Sequence, residues 1–377
     1  MFNKHDLSRN AMMLTGSFST KGYDWWWHSF TARHEKTGEE KVFFVEYFLC
    51  NPALGGKRPV FGQLPENREK GIRPSYLMVK AGCWGEDHCQ LHRFFGTKSV
   101  ILQRKAPFYL AAGNCFASDF RLKGSVEVTA REASEHPEYM CDAGSMSWDL
   151  HLEKKISFNV GYGAGRLFRA IKAFEMYWHA EGMRTLYRGS VVINGEKYVV
   201  TPETSYGYAD KNWGSNFTSP WIWLSSCCLT SRLTGRELKN SVFDIGGGRP
   251  KVYFVPLRNK LLGAFYHEGE EFEYNFSKPW TLPGTTFNAR ETADEIKWHI
   301  RQENYKSIMI TDVSCKKKDM LLVNYESPDG CKRHNRLWNG GNGTGHIRLY
   351  RKHISGLTLE ADLDATHIGC EYGEYGQ

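Results

Sequence analysis

The 377-residue sequence lacks every common metal-binding array: it has no CxxC…CxxC and no HExxH pattern. A structural zinc site is therefore not expected. No stretch approaches the roughly 18 apolar residues of a membrane-spanning helix, and Met1 to Asn10 contains no apolar run that would serve as a secretion signal. We expect a soluble, cytoplasmic chain whose membrane contact, if any, is peripheral. Ten cysteines in such a chain read as reduced thiols, small hydrophobes by default. The closest are Cys83 with Cys89 and the adjacent Cys227-Cys228. The net charge of +7 comes with no basic helix, zinc knuckle or RNA-binding signature, so no nucleic-acid partner is expected. Helix and strand patterns do not alternate, which excludes a doubly wound sheet, and the oligomeric state is left open.

What the sequence has in excess is aromatic residues: 12 Trp, 19 Tyr and 22 Phe, 14% of the chain. Such residues favour half-buried strand positions and line ligand pockets. Strand signals recur at Lys41 to Cys50, Pro220 to Ser226, Pro250 to Pro256, Ser307 to Asp312 and Met320 to Tyr325. Ser190 to Val200 reads as a hairpin about Asn194-Gly195. The Gly246 to Gly248 and Asn339 to Gly345 segments read as turn-rich breaks. Arg166 to Ala180 spaces Leu167, Ile171, Phe174 and Trp178 as a short helix or an irregular linker would. The length suggests two domains, 1–185 and 186–377, with the division near this segment. Many short strands and little helix point to antiparallel barrels or sandwiches.

The densest cluster is SYGYADKNWGSNFTSPWIW, Ser205 to Trp223. Period-two alternation puts Trp221 and Trp223 on one face of a strand, and Tyr206 and Tyr208 on one face of another. Asp210, Lys211 and Asn212 supply polar groups beside these rings and Trp213. The pattern fits an apolar wall with a polar end, and equally a packed aromatic core with a salt-bridged Asp–Lys corner. In GYDWWWHSF, Gly22 to Phe30, alternation turns Trp25 and Trp27 one way and Trp26 and His28 the other. Glu46 follows in the next strand, and an acid among so many rings keeps its proton. Asn114, Asp142, Glu175 and Trp178 are weaker, scattered candidates.

The Tyr206 to Trp223 segment resembles the central motif of the tocopherol cyclase family, in which Ser-Tyr-x-x-x-Lys-Asn-Trp-Gly precedes a Trp-x-Trp strand. Here the core is offset by one residue, with Asp210 where the family has Glu. Gly22 to Phe30, Cys50-Asn51-Pro52, Gly113-Asn114, Cys141-Asp142, Phe174-Glu175…Trp178, Gly246 to Gly248, Gly345 to Tyr350 and Ile368-Gly369 follow in the family's order. The N-terminal motif departs from it, having Asp24-Trp25-Trp26-Trp27 in place of Glu-Gly-Trp-Tyr. The resemblance implies an all-β fold of two antiparallel lipocalin-like barrels or half-barrels with a ligand cavity near their junction. It implies proton-initiated cyclisation or hydration of a small, largely apolar molecule, without metal or organic cofactor. Asp210 is then the first candidate acid, Glu46 the second and Asp142 the third. Lys211, Asn212, Tyr206, Tyr208, Asn114 and Glu175 would bind substrate, and Trp26, Trp178, Trp213, Trp221 and Trp223 would form the wall. A non-enzymatic carrier of a lipid or quinone is the alternative. Carbohydrate chemistry, using indole stacking and paired carboxylates, is a third reading.

Overall fold

The computed structural model describes residues 2, 4–158, 171–252, 255–257, 260–331 and 333–374. The expected all-β, antiparallel, two-sheet fold is the one observed, with three short α-helices among the described residues, Lys4–Asn10, Pro65–Glu69 and Ala130–Glu135. A twelve-stranded sheet runs from Tyr23 to Gly214, and an eleven-stranded sheet runs from Trp221 to Gly373. The first sheet curls until its Cys89–Phe95 strand packs against the Arg121–Val128 strand, which makes it a barrel. The division expected after residue 185 falls inside the Met176–Ile193 strand, which pairs with Glu196–Val200 and Gly207–Gly214 in the first sheet. The chain changes sheet between Gly214 and Trp221.

Three apolar clusters follow from strand alternation. One fills the barrel and includes Trp26, Phe30, Tyr47, Trp148 and Trp213. A second fills the concave side of the other sheet, around Ile222, Phe243, Trp298 and Ile347. The third lies between the sheets and draws on both: Tyr23, Trp25, Trp27, Phe48 and Trp178 from one, Trp223, Tyr325 and Leu337 from the other. The Tyr23–His34 strand thus sends Trp26 into the barrel and Trp25 and Trp27 to the seam, as alternation requires. Burying an indole removes about 150–250 Å² from water, several kcal/mol each at about 25 cal/mol per Å². The seam is therefore a principal source of cohesion between the sheets.

Two sequence expectations are overturned. Of the segment read as a helix or linker, residues 166–170 lie outside the described residues, and the rest is a turn leading into strand from Met176. Strand alternation wins there because Tyr177 packs into the barrel and Trp178 into the seam. The Gly-rich segments read as breaks are also strand: Ser241–Gly248 pairs on both sides, and 339–345 lies within Arg333–His353. Their glycines make room for rings from the opposite sheet. A Cβ on Gly246 would meet the Trp178 ring at 3.1 Å, and one on Gly341 the Trp84 ring at 2.4 Å.

Gly341→Ala should accordingly cost about 1–3 kcal/mol, the usual penalty of overpacking. Gly56→Ala, where nothing lies within 4 Å of the added carbon, should stay within about 0.5 kcal/mol. Urea unfolding of the two variants checks this, and equal midpoints would contradict close packing at the seam.

Candidate functional site

The two aromatic motifs of the sequence become neighbouring strands. Tyr23–His34 pairs with Glu40–Cys50 on one side and Gly207–Gly214 on the other, with Trp27 opposite both Glu46 and Asp210. Lys80 lies opposite Glu46 on the next strand. One transverse row, Lys80–Glu46–Trp27–Asp210, therefore crosses the first sheet. In the second sheet Trp223 lies opposite Gly246 and Glu371, and Glu371 opposite Asn339. Each sheet thus brings a tryptophan flanked by acid to the seam.

The acids differ in how they are neutralised. Glu46 accepts from the Tyr325 hydroxyl at 2.8 Å and forms an ion pair with Lys80 at 2.9 Å, all buried. Burial pushes its carboxyl up against the pull of Lys80. Asp210 and Asp244 have no ion-pair partner among the described residues. Trp178 Nε1 donates to Asp210 Oδ2 at 2.7 Å, and Trp223 Nε1 donates to Asp244 Oδ1 at 3.1 Å. The Tyr208 hydroxyl lies between the carboxyls, 3.1 Å from Asp210 Oδ2 and 2.9 Å from Asp244 Oδ2. One phenolic proton serves only one acceptor, so two ionised carboxylates would leave an O···O⁻ contact without a hydrogen. A further proton in the cluster removes that repulsion. Burial, opposed by the Trp178 and Tyr208 hydrogen bonds, raises Asp210 to about 8. Burial and then Asp210 itself raise Asp244 well above the carboxylate range. Glu371, held by Trp221 and by Asn339 Nδ2 at 2.6 Å, is pushed up to about 7 by burial.

Among the described residues, the Tyr23 hydroxyl, Trp25 Nε1, Trp27 Nε1, Glu46 Oε1 and Asn212 Oδ1 are buried on this face without a hydrogen-bond partner. Such atoms cost about 1–3 kcal/mol each if left unpaired. An apolar pocket of about 60 Å³ opens at one edge, lined by Met176, Trp178, Trp221, Gly246, Leu262 and Phe276. It is smaller than the roughly 300–1,000 Å³ of small-molecule sites, so a prenyl-sized ligand needs its lining to move. Wider clefts of about 580 and 700 Å³ lie elsewhere and hold none of these seam acids.

The structure brings together Asp210, Tyr208, Asn212, Trp178, Trp221, Trp223 and Glu46 on the seam. It separates from them Lys211, Trp26 and Trp213, which point into the barrel. Lys211 there pairs with Asp24 and sits 3.9 Å from the Trp26 ring centre, while Trp213 stacks on Tyr177 at 5.5 Å. Tyr206 stacks on His367 at 4.4 Å, beyond the acids. Asp142 accepts from the Gln90 backbone at 2.8 Å, and Asn114 is exposed on Ser125. The Glu175 carbonyl fixes the turn after Gly214 by accepting from Ser215 at 2.8 Å. Asp244 and Glu371 were not among the sequence candidates; each is a lone acid in an apolar strand run, VFDIG and GCEYG, which is the signal that would have found them. No group of three or more His, Cys, Asp or Glu suited to a metal occurs among the described residues.

No protein-family model matches the chain, and no curated protein sequence matches it. Three solved structures are similar over most of their length. A protein provisionally described as AttH from Nitrosomonas europaea shares 11% identity at a TM-score of 0.48, covering 97% of each chain. Kievitone hydratase from Nectria haematococca shares 11% at 0.49, covering 98% of this chain and 95% of that one. CghA, solved with Sch210972, shares 12% at 0.48, covering 95% and 90%.

A carboxyl with a pKa near 8 makes stability fall as pH rises. Between about pH 4 and pH 8 the folded protein holds a proton that the unfolded chain has released, at up to about 1.4 kcal/mol per pH unit. Asp210→Asn should flatten that slope by close to one proton. Urea midpoints across this range measure it, and an unchanged slope would mean that Asp210 is ionised in the folded protein.

Proposed function

We propose that this chain is a cofactor-independent enzyme in which the neutral carboxyl of Asp210 protonates an alkene of a small, largely apolar substrate. The observation that carries this reading is a pair of unneutralised acids, Asp210 and Asp244, buried among indoles and sharing the Tyr208 proton. Burial keeps the acid protonated near neutral pH, which general-acid catalysis requires. After transfer, the carboxylate faces a tertiary carbocation, and the faces of Trp25, Trp27 and Trp223 stabilise it by about 0.5–2 kcal/mol each when dry. An internal phenol closing a ring, or water, then captures the cation, so the reaction is a cyclisation or a hydration. The proton that the phenol or water loses on capture passes to the Asp210 carboxylate, with Tyr208 and Asp244 as the relay, and restores the acid. This is the tocopherol cyclase-like chemistry that the Tyr206 to Trp223 motif suggests, with a prenylated, polyene or polyketide-like substrate. Trp178 and Trp221 line the edge pocket while hydrogen-bonded to Asp210 and Glu371, and so form the partition a substrate crosses. The apolar lining weighs against the carbohydrate reading, which needs paired acids across a wet cleft.

Native mass spectrometry of the protein purified from its source, followed by organic extraction, should recover a prenylated phenol, quinone or polyene together with a cyclised or hydrated isomer. On that substrate Asp210→Asn should lose about 10²–10⁴-fold in turnover while still binding it. A single lipid that binds and is never converted would make the chain a carrier instead.

A further inference from the structure

A second cluster of reactive groups lies outside the acid seam. Cys228, Thr366, His367, Tyr206 and Glu40 come from distant parts of the chain and meet where Cys228–Ser231 pairs with Gly356–Gly373, with Cys228 opposite Thr366. Cys228 Sγ lies 3.0 Å from Thr366 Oγ1, which lies 3.1 Å from His367 Nδ1. The other ring nitrogen, His367 Nε2, meets Glu40 Oε1 at 2.5 Å, and Arg33 holds Glu40 at 3.1 Å. Tyr206 stacks on the imidazole at 4.4 Å. A thiol, an imidazole joined to it through the Thr366 hydroxyl and a carboxylate on the far ring nitrogen are the groups of an activated sulfur nucleophile. His367 has φ +49°, a strained setting for a non-glycine residue, and it occupies a bulge in its strand. Such strain persists only where the surroundings impose it.

The adjacent space is small and polar. A pocket of about 20 Å³ is lined by Thr31, Tyr206, Ser225, Ser226, Cys227 and His367, and Cys228 itself is not part of its lining. That admits a water-sized molecule and little more. The pKa directions agree with the geometry. Burial opposes ionisation of both partners, yet the contacts with His367, Thr366 and Tyr206 lower Cys228, and those with Cys228 and Glu40 raise His367 to about 9.

We propose that Cys228 is a peroxide-reactive thiol, activated by His367 and Glu40, that is converted to a sulfenic acid by hydrogen peroxide. The thiolate sulfur attacks one peroxide oxygen, the O–O bond breaks, and an S–O bond forms. The leaving hydroxide takes the His367 proton and departs as water. Sulfur is oxidised by two electrons and the peroxide is reduced by two.

The test treats the full chain with limiting hydrogen peroxide in the presence of dimedone and follows each cysteine by peptide mass spectrometry. Cys331, an exposed free thiol, is the internal reference. Cys228 should be trapped about tenfold or more faster than Cys331. His367→Asn, which tolerates positive φ, and Glu40→Gln should slow trapping at Cys228 and leave Cys331 unchanged. Trapping at Cys331 as fast as at Cys228 in the unaltered chain would overturn the proposal, whatever the variants do. So would an unaltered Cys228 rate in both folded variants.

Discussion

One phenolic proton placed between two buried carboxyls joins the halves of this protein. Tyr208 and Asp210 belong to the first sheet, Asp244 to the second, and the Tyr208 hydroxyl touches both acids. Neither acid has a compensating cation, so the contact is stable only while the seam holds an extra proton and stays dry. Dryness comes from the rings around it, and the glycines of Ser241–Gly248 and Arg333–His353 let those rings approach the opposite backbone. Packing, protonation and cohesion between the sheets are thus a single condition. A polar substitution in the ring layer would act on the acids without touching them.

Strand alternation sorts the charges. Asp210 and Lys211 are adjacent in sequence yet face opposite sides of one strand, and Lys211 pairs with Asp24 inside the barrel. Were that lysine on the seam, Asp210 would ionise, as an opposite charge within about 4–6 Å favours the charged form. Among the described residues the seam has one buried lysine, Lys80, and it is engaged by Glu46 and Tyr325. The face therefore holds two kinds of acid: Glu46, matched by a cation, and Asp210 with Asp244, matched only by each other and by indole and phenol donors.

Much of this was legible before any coordinates. The aromatic runs at Trp25–Trp27 and Tyr206–Trp223 announced strands, and period two separated Trp26 from Trp25 and Trp27, although Trp26 and Trp213, expected in the wall, face the barrel. Asp210 stood out because it lay inside the densest of them. What stayed hidden depends on pairing between distant segments. Asp244 and Glu371 each stand alone in an apolar strand run, but they join the site only because their strands flank Trp221–Ser226. The glycine runs misled for a physical reason. Glycine breaks a strand by its freedom, but it also serves a strand whose neighbour presses a ring against the backbone, and a single sequence does not separate the two. Phe174 lies in the turn before Met176 and lines the same edge pocket as Trp178, so their four-residue spacing reflects that shared pocket and not a helix.

On the proposed reading, the closed seam and the chemistry constrain each other. An acid with a pKa near 8 is a weak proton donor to an alkene while it sits among neutral neighbours, because transfer creates a carboxylate in a dry site. The reaction becomes accessible when the cation forms directly beside that carboxylate, so that the two charges neutralise one another where neither could be solvated. The rings then contribute to one side of the pair and the Trp178 and Tyr208 donors to the other. Water entering the seam would favour ionisation of Asp210 before substrate arrived and would compete for the cation afterwards. The small edge pocket follows from this requirement: the substrate itself must fill the space it opens, and displacing Trp178 by an apolar ligand exchanges one dry neighbour for another.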